Sequence, residues 1–398
     1  MPPADARRLA GRALADALRD SRATTLARVI DASDAAWRMP QQRGVNPVAW
    51  ELGHLAWFAE FWILRGPHRQ RDDGFIDAAK PARIAGPDAI FDSARLDHAM
   101  RWQTPLPSRD ALVARLDEQL EACIAAIPAA SDDDDAALYF HRLALFHEDM
   151  HGEAFAWLRA ALAWSAPEGL KATPVRPGGE PLRIAGGRVE IGRRGDAAGF
   201  SFDNEQPATT LDVAPFEIDA APLAAGRFLR FVEAGGYDQP DFWPGAAGAW
   251  RAERSTSHPE RWRRGQDGTW EARWFDRWTP LEPEAPIIHV NAWEAEAYCR
   301  WAKRRLPRAA EWECAVREPR FQWGRSVWEW SADAFEPYPG FRAGPYRDYS
   351  QPWFGDHREL RGGSVATRAR LHHPGYRNFF TPERTDVFAG FRTASLPS

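Results

Sequence analysis

The chain has 398 residues, 44% of them hydrophobic and 27% charged, with a formal net charge of -5. This composition leaves room for two cored domains in an ordinary globular protein, and it gives no footing for a polyanionic partner such as nucleic acid. No apolar run approaches the ~18 residues that span a bilayer, and the opening MPPADARRLAGRALADALRD lacks the apolar stretch of a signal peptide. No membrane association is therefore expected, and a cytoplasmic address is.

Up to about residue 164 the pattern is helical. Over 4–33, Leu9, Leu14, Leu18, Leu26 and Ile30 recur at helical spacing among charged residues. Asn46-Pro47 reads as an N-cap followed by proline at the first helical position. The helix it opens, VAWELGHLAWFAEFWILR, is expected to end at Gly66-Pro67. A long irregular connection follows over 66–107, and such loops are often functional. Ser108 is the expected cap of a helix over 109–127. The acidic run at 132–135 precedes another helix over about 136–164, where negative charge suits the helix dipole. Four long helices imply a four-helix bundle.

Beyond residue 165 the grammar changes. SAPEGLKATPVRPGGEP is a Pro- and Gly-rich linker, and after it come short apolar runs with only two convincing helices, near 222–234 and 291–304. Most of the 20 tryptophans lie in this half. They suit a fold that relies on aromatic packing where regular structure is thin. The expected class is α+β, with a bundle over 1–165, a linker over 166–182 and an irregular domain over 183–398. Cys123, Cys299 and Cys314 are too few and too scattered for a disulfide framework or a CxxC metal site.

FHEDMHGEAFAW, residues 146–157, places His147 and His151 at i and i+4 on one helix face. HxxxH alone is a weak signal, and its bland reading is a pair of solvent-facing rings. The apolar neighbours Phe140, Leu143, Leu145, Phe146, Phe155, Trp157 and Leu158 argue against that, because buried imidazoles need a proton partner or a metal. His54 is surrounded by Trp50, Leu52, Leu55, Trp57, Phe58, Phe61 and Trp62. Alone it would be a hydrogen-bonded core residue, but on a second bundle helix it can meet the HxxxH pair. Three neutral nitrogens leave coordination positions open, as a catalytic metal needs, and spacing alone suits zinc as well as iron. Glu148, Asp149 and Glu153 are candidate partners for the imidazoles, although Asp149 reads better as surface charge.

Taken with FDNEQPATTLDVAPFEID (202–219), HVNAWEAEAYCRWAKRRLPRAAEWECA (289–315), VWEWSADAFEPYPGF (327–341), PYRDYS (345–350), LRGGSVATR (360–368) and RNFFTPERTDVFAGFR (377–392), these residues resemble the ergothioneine-synthase family of non-haem iron enzymes. That family couples a DinB-like four-helix bundle to a domain of the formylglycine-generating-enzyme (C-type-lectin-like) fold, and the resemblance covers nearly the whole chain. It implies that His54, His147 and His151 bind Fe(2+), and that oxygen is used to join a thiol donor to the imidazole C2 of hercynine, a trimethylated histidine. Formylglycine-generating enzymes themselves use paired cysteines. Here Cys299 and Cys314 read as core, so that activity is not expected.

The departures bear on the donor. Met150 stands where family members commonly carry a glutamine that helps hold hercynine. The stretch Arg377-Asn378-Phe379-Phe380 lacks the acidic residue that grips the amine of γ-glutamylcysteine. Of two arginines expected for that donor's carboxylates, Arg101 is present and His98 occupies the other place. These losses, and the string NPVAWELGHLAWFAEFW, resemble the selenoneine-synthase branch, whose donor is a selenosugar. The expected partners are thus hercynine, a selenosugar and O2, with an ergothioneine-type sulfoxide synthase using a thiol donor as the alternative. Met150 and Arg101 are candidate substrate contacts, Asn378 a candidate hercynine contact, and Phe379 with Phe380 a candidate wall for a neutral sugar. Tyr338, Tyr346, Tyr349 and Tyr376 are candidate proton donors. Gly362-Gly363-Ser364 and Gly390-Phe391-Arg392 read as scaffold, and His141, His372 and His373 as non-ligands. Two readings from other classes are a metal-free binding module and a zinc hydrolase or thiol transferase built on the bundle.

Overall fold

A computed structural model describes residues 5–42, 44–129, 134–171 and 179–397. Two residues of the acidic run at 132–135 and residues 172–178 of the expected linker lie outside them. The chain forms two compact units, Met1–Leu158 with Ala198–Phe200, and Arg159–Ala197 with Ser201–Ser398.

The first unit is built on four long helices, α1 (Gly11–Ala27), α2 (Val48–Ala59), α3 (Arg109–Ala125) and α4 (Asp135–Ala161). Leu14 and Leu18 of α1 meet Leu120 of α3 and Leu138 and Leu145 of α4 in a common core. The N-terminal pattern over 4–33 is not one helix. Ala6–Arg8 form a single tight turn, and α1 starts only at Gly11. The carbonyls of Arg7 and Leu9, which an earlier helix would have bonded internally, accept instead from the Phe200 amide (2.8 Å) and Arg142 Nε (2.9 Å).

Helix α2 is apolar nearly all round and is buried on all sides, as such a pattern demands. Pro47 rather than Asn46 occupies its cap position, because the Asn46 side chain accepts from Arg101 Nη1 at 2.6 Å. After Ala59 the helix widens into a π-turn at Glu60–Leu64 and stops at Gly66-Pro67. Ser108 caps α3 as expected, accepting from the Ala111 amide at 3.3 Å. The connection from α2 to α3 carries a small hairpin (His68–Gln70 with Ile76–Ala78), one turn of helix at Asp88–Phe91 and a 3-10 turn at His98–Trp102.

The second unit is centred on a four-stranded sheet of β1 (Trp328–Ala334), β2 (Arg358–Gly362), β3 (Asn378–Phe380) and β4 (Ala389–Gly390), in the order β3-β2-β1-β4. The β1/β2 and β2/β3 pairs are antiparallel and β1/β4 is parallel, with Trp330 opposite Leu360 and Glu359 opposite Phe379. Two-stranded pairs and a three-stranded meander over Trp262–Pro280 surround it. Helices α5 (Ala225–Glu233) and α7 (Ala292–Trp301) occupy the two predicted positions, and α7 opens on a capping box between Asn291 and Glu294. Two further helices, α6 (Ala246–Arg254) and α8 (Ala309–Ala315), carry too short an apolar pattern to stand out in the sequence.

Tryptophans do pack this interior, but buried arginines hold it as well. Arg392 pairs with Glu329, which also accepts from Trp312 Nε1, while Arg361 and Arg377 share Glu359. Each ion is met by a partner, the condition for burying charge at all. Gly362 (φ +99°) and Gly363 (φ +146°) lead out of β2 through backbone space that suits glycine, consistent with a scaffold role.

Candidate metal centre

His54 of α2 and His147 and His151 of α4 converge. Each offers one ligating nitrogen, and these atoms lie within 4.8 Å of one another. Among the described residues no other trio of His, Cys, Asp or Glu side chains meets in this way. His54 and His147 are 3% and 4% exposed, and His151 is half-buried. The His54 and His147 Nε2 atoms stand 3.3 Å apart. Two nitrogens bound to one ion at ~2.1 Å in neighbouring positions would have about that separation.

The protonation of the rings is set from outside. His54 Nδ1–H donates to the Phe91 carbonyl at 2.7 Å, and His151 Nδ1–H donates to Glu51 Oε1 at 2.6 Å. Each hydrogen bond leaves Nε2 with its lone pair turned inward, the usual manner in which metal-bound histidines are oriented. Burial first, and the nearby His151 second, hold the His54 and His147 imidazoles well below the ordinary histidine range, so both rings are neutral at pH 7. Lone pairs facing one another in a dry site repel unless a proton or a cation lies between them. The arrangement therefore fits a bound metal ion.

Stacking fixes the ring planes. His147 lies flat on Phe58, with centroids 3.6 Å apart and planes within 5°, and His54 stacks on Trp50 at 5.1 Å. The Arg101 guanidinium sits 3.9 Å over the same Trp50 ring. Trp50 is thus engaged by His54 and Arg101 together, which puts Arg101 one ring away from the centre. Met150, directly before His151 on α4, is half-buried. His98, on the turn that also carries Arg101, directs Nε2 at the Val45 carbonyl (2.8 Å).

The carboxylate that holds the His151 Nδ1–H is not one of those expected. Glu148 forms a buried bidentate pair with Arg22 of α1 (2.6 and 3.1 Å), and Asp149, read from sequence as surface, is 1% exposed and accepts from Ser21 Oγ at 2.7 Å. Both point to α1 because they stand off the face that carries His147 and His151. Glu153 is also buried. The carboxylate that orients a ring of the triad is Glu51, three residues before His54 and so on its helix face. That spacing was the readable signal. Glu51→Gln is expected to weaken metal affinity by roughly 10–100-fold, measured by chelator competition. Affinity equal to that of the parent would dismiss Glu51 from the site.

The remaining candidates belong to the second unit. Asn378, Phe379 and Phe380 form β3, and all three are half-buried. The Phe379 amide donates to Asn378 Oδ1 (2.9 Å). Phe379 stacks on Phe335 (4.1 Å), whereas Phe380 lies under the Arg384 guanidinium (5.1 Å). Successive strand residues face opposite ways, so the two rings do not form one continuous wall. Arg377 is committed to Glu359 and to the carbonyls of Asn204 and Glu336.

Tyr376 is buried and Tyr349 half-buried, with their hydroxyls 3.4 Å apart, Tyr338 accepts from Arg361 Nη2 and is pushed up to about 12 by burial, and Tyr346 is half-buried. His141 faces the Cys123 carbonyl and His373 accepts from the Gly375 amide. Burial pushes the Cys123 thiol up to about 12 and raises those of Cys299 and Cys314, so none of them is poised as a thiolate.

Residues 17–158 match the DinB superfamily model, and residues 167–326 match the model described as Sulfatase-modifying factor enzyme 1-like domain. The hercynine oxygenase of Mycolicibacterium thermoresistibile is 30% identical over 449 aligned positions, covering 96% of this chain and 94% of that protein. The hercynine oxygenase of Mycobacterium tuberculosis is likewise 30% identical, with 96% and 98% covered. The formylglycine-generating enzyme of Streptomyces coelicolor is 27% identical, covering 59% of this chain and 96% of its own length. The two hercynine oxygenases thus span both units.

Proposed function

Because the chain belongs to the hercynine oxygenase family, we propose that it is an oxygen-dependent enzyme acting on hercynine, with Fe(2+) held by His54, His147 and His151 and a selenosugar as the donor. The observation that carries this reading is the convergence of three imidazoles, two of them with their outer N–H anchored. Iron(II) there would supply a redox-active cation with positions open to the donor and to O2, still carrying its full charge because every ligand is neutral.

The overall change balances when the hercynine C2–H and the donor Se–H bonds break, a C–Se bond forms, and O2 accepts four electrons, one oxygen ending on selenium and the other in water. The chain's own groups bind and orient. The stacks on Phe58 and Trp50 fix the ligand rings, Glu51 and the Phe91 carbonyl hold the two outer protons, and the apolar helix α2 keeps bulk water from the triad.

The choice of a selenosugar is supported by the missing charged grips. No acidic residue stands in the stretch Arg377-Asn378-Phe379-Phe380, and His98 spends its Nε2 on a backbone carbonyl. A sugar is held through hydroxyls and apolar faces rather than by fixed charge. The same centre with γ-glutamylcysteine would make a sulfoxide, and Arg101 is the observation that favours this alternative. Protein loaded anaerobically with iron(II) and hercynine, given either donor and then opened to oxygen, should yield the C–Se conjugate by mass spectrometry. Turnover with γ-glutamylcysteine and none with the selenosugar would defeat the donor assignment. An iron-free protein, or activity without oxygen, would defeat the whole reading in favour of a binding module or a zinc hydrolase.

A further inference from the structure

Segment 80–91 has little regular structure, yet seven of its twelve residues are tied to α2, its π-turn or the Arg65 that follows. Glu60, only 2% exposed, accepts from the backbone amides of Arg83 (2.6 Å), Ile84 (3.2 Å) and Ala85 (2.6 Å). Arg65 donates to the Lys80 carbonyl (2.9 Å) and grips Asp88 through both Nη atoms (2.6 and 3.0 Å). Trp57 Nε1 donates to the same Asp88 (2.8 Å), and Trp50 Nε1 donates to the Ile90 carbonyl (2.7 Å). The next carbonyl along, that of Phe91, is the acceptor for His54 Nδ1–H.

A buried carboxylate is unfavourable unless its lone pairs are met. Those of Glu60 are met when the loop lies in this one place, so carboxylate and loop hold each other. The close approach is made over Gly53, where a Cβ would stand 2.1 Å from the Phe91 ring. Gly86 makes the turn before it at φ +107°, a conformation that favours glycine. A helix-interior glycine is ordinarily a weakness relative to alanine. At position 53 it is what lets the loop seat its ring against α2 and bring its carbonyl to the imidazole.

We propose that segment 80–91 is a strap that positions His54, with Glu60 and Gly53 as positioning residues that hold the Phe91 carbonyl on Nδ1 and thereby aim Nε2 at the other two rings. The inference rests on reading the triad as a metal centre. It predicts that changes which touch none of the three histidines alter how the site takes metal.

The test uses the full-length protein with cobalt(II) as the probe, reading affinity by chelator competition and geometry by the ligand-field absorption of bound cobalt. Gly53→Ala should weaken affinity by about 10–100-fold, the usual consequence of disturbing an outer partner, and should change the cobalt spectrum. Phe91→Ala keeps the backbone carbonyl and should bind nearly as the parent does. The double variant Gly53→Ala/Phe91→Ala should return to the affinity of Phe91→Ala alone, because the added methyl group then has room. Glu60→Gln, which sets an amide against three N–H donors, should weaken affinity in the same direction, and it carries the test should Gly53→Ala fail to fold.

A merely structural role would lower Tm and leave the affinity and spectrum of the folded variants as in the parent. That result, or a double variant no better than Gly53→Ala, overturns the strap. A parent protein that binds neither cobalt nor iron would instead overturn the metal-centre reading beneath it.

Discussion

His147→Ala is expected to reduce iron affinity and oxygen-dependent turnover by more than the roughly 100-fold that loss of an outer partner causes, while leaving the first unit folded. His147 supplies the nitrogen 3.3 Å from that of His54, and with it gone two ligands remain on helices that cannot close the gap. The ring is also a packing element against Phe58, so its removal leaves a cavity worth about 2–4 kcal/mol by analogy with other large-to-small core changes. Iron content by metal analysis, with circular dichroism and thermal unfolding of the metal-free form, separates the two effects. Iron retained near the parent's level would show that His147 is not a ligand, whatever happens to stability.

The neighbouring Glu148→Ala is expected to do the reverse. It should destabilise the metal-free protein by roughly 3–5 kcal/mol, as truncation of one member of a buried ion pair generally does, and leave the affinity of the folded fraction close to that of the parent. Glu148 and Arg22 are both buried, and without the carboxylate the guanidinium keeps only neutral acceptors, Gln119 Oε1 at 3.0 Å and the Leu116 carbonyl. A Tm drop on the order of 10 °C follows for a unit of this size, measured with chelator present so that metal linkage does not mask it. A variant as stable as the parent but poor in metal would place Glu148 in the site after all. Adjacent residues on α4 thus occupy different faces, His147 turned to the triad and Glu148 to the bundle.

This division shows how far the candidate site could be read from the chain. The i, i+4 spacing of His147 and His151 places both rings on one face wherever that helix lies, and the apolar residues around His54 demand a buried environment. Two helical patterns were enough to suggest that the three rings converge. Glu51 was readable by the same logic, at three residues before His54, but Glu148 and Asp149 drew attention first because they sit beside the other two histidines in sequence, and both turn out to serve α1. Closeness along a helix is not closeness on its surface. In the second unit, the pairing of Phe379 with Phe380 failed in the same way, since a strand sends successive side chains to opposite faces.

Helix ends moved for a different reason. Asn46 has the chemistry of a cap, yet Arg101, 55 positions away, takes its oxygen, and the carbonyls of Arg7 and Leu9 are claimed by Phe200 and Arg142. Where a distant donor competes for the same acceptor, local propensity decides nothing.

The amino-acid sequence by itself determined the helical bundle and the three imidazoles, because hydrophobic periodicity and i, i+4 spacing are local properties that hold in any helix. The tertiary structure alone decided which proton each ring carries and which carboxylate and carbonyl hold it. Those hydrogen bonds join residues 37 and 100 positions apart, and pairings at such distances are chosen by the packing of the whole core.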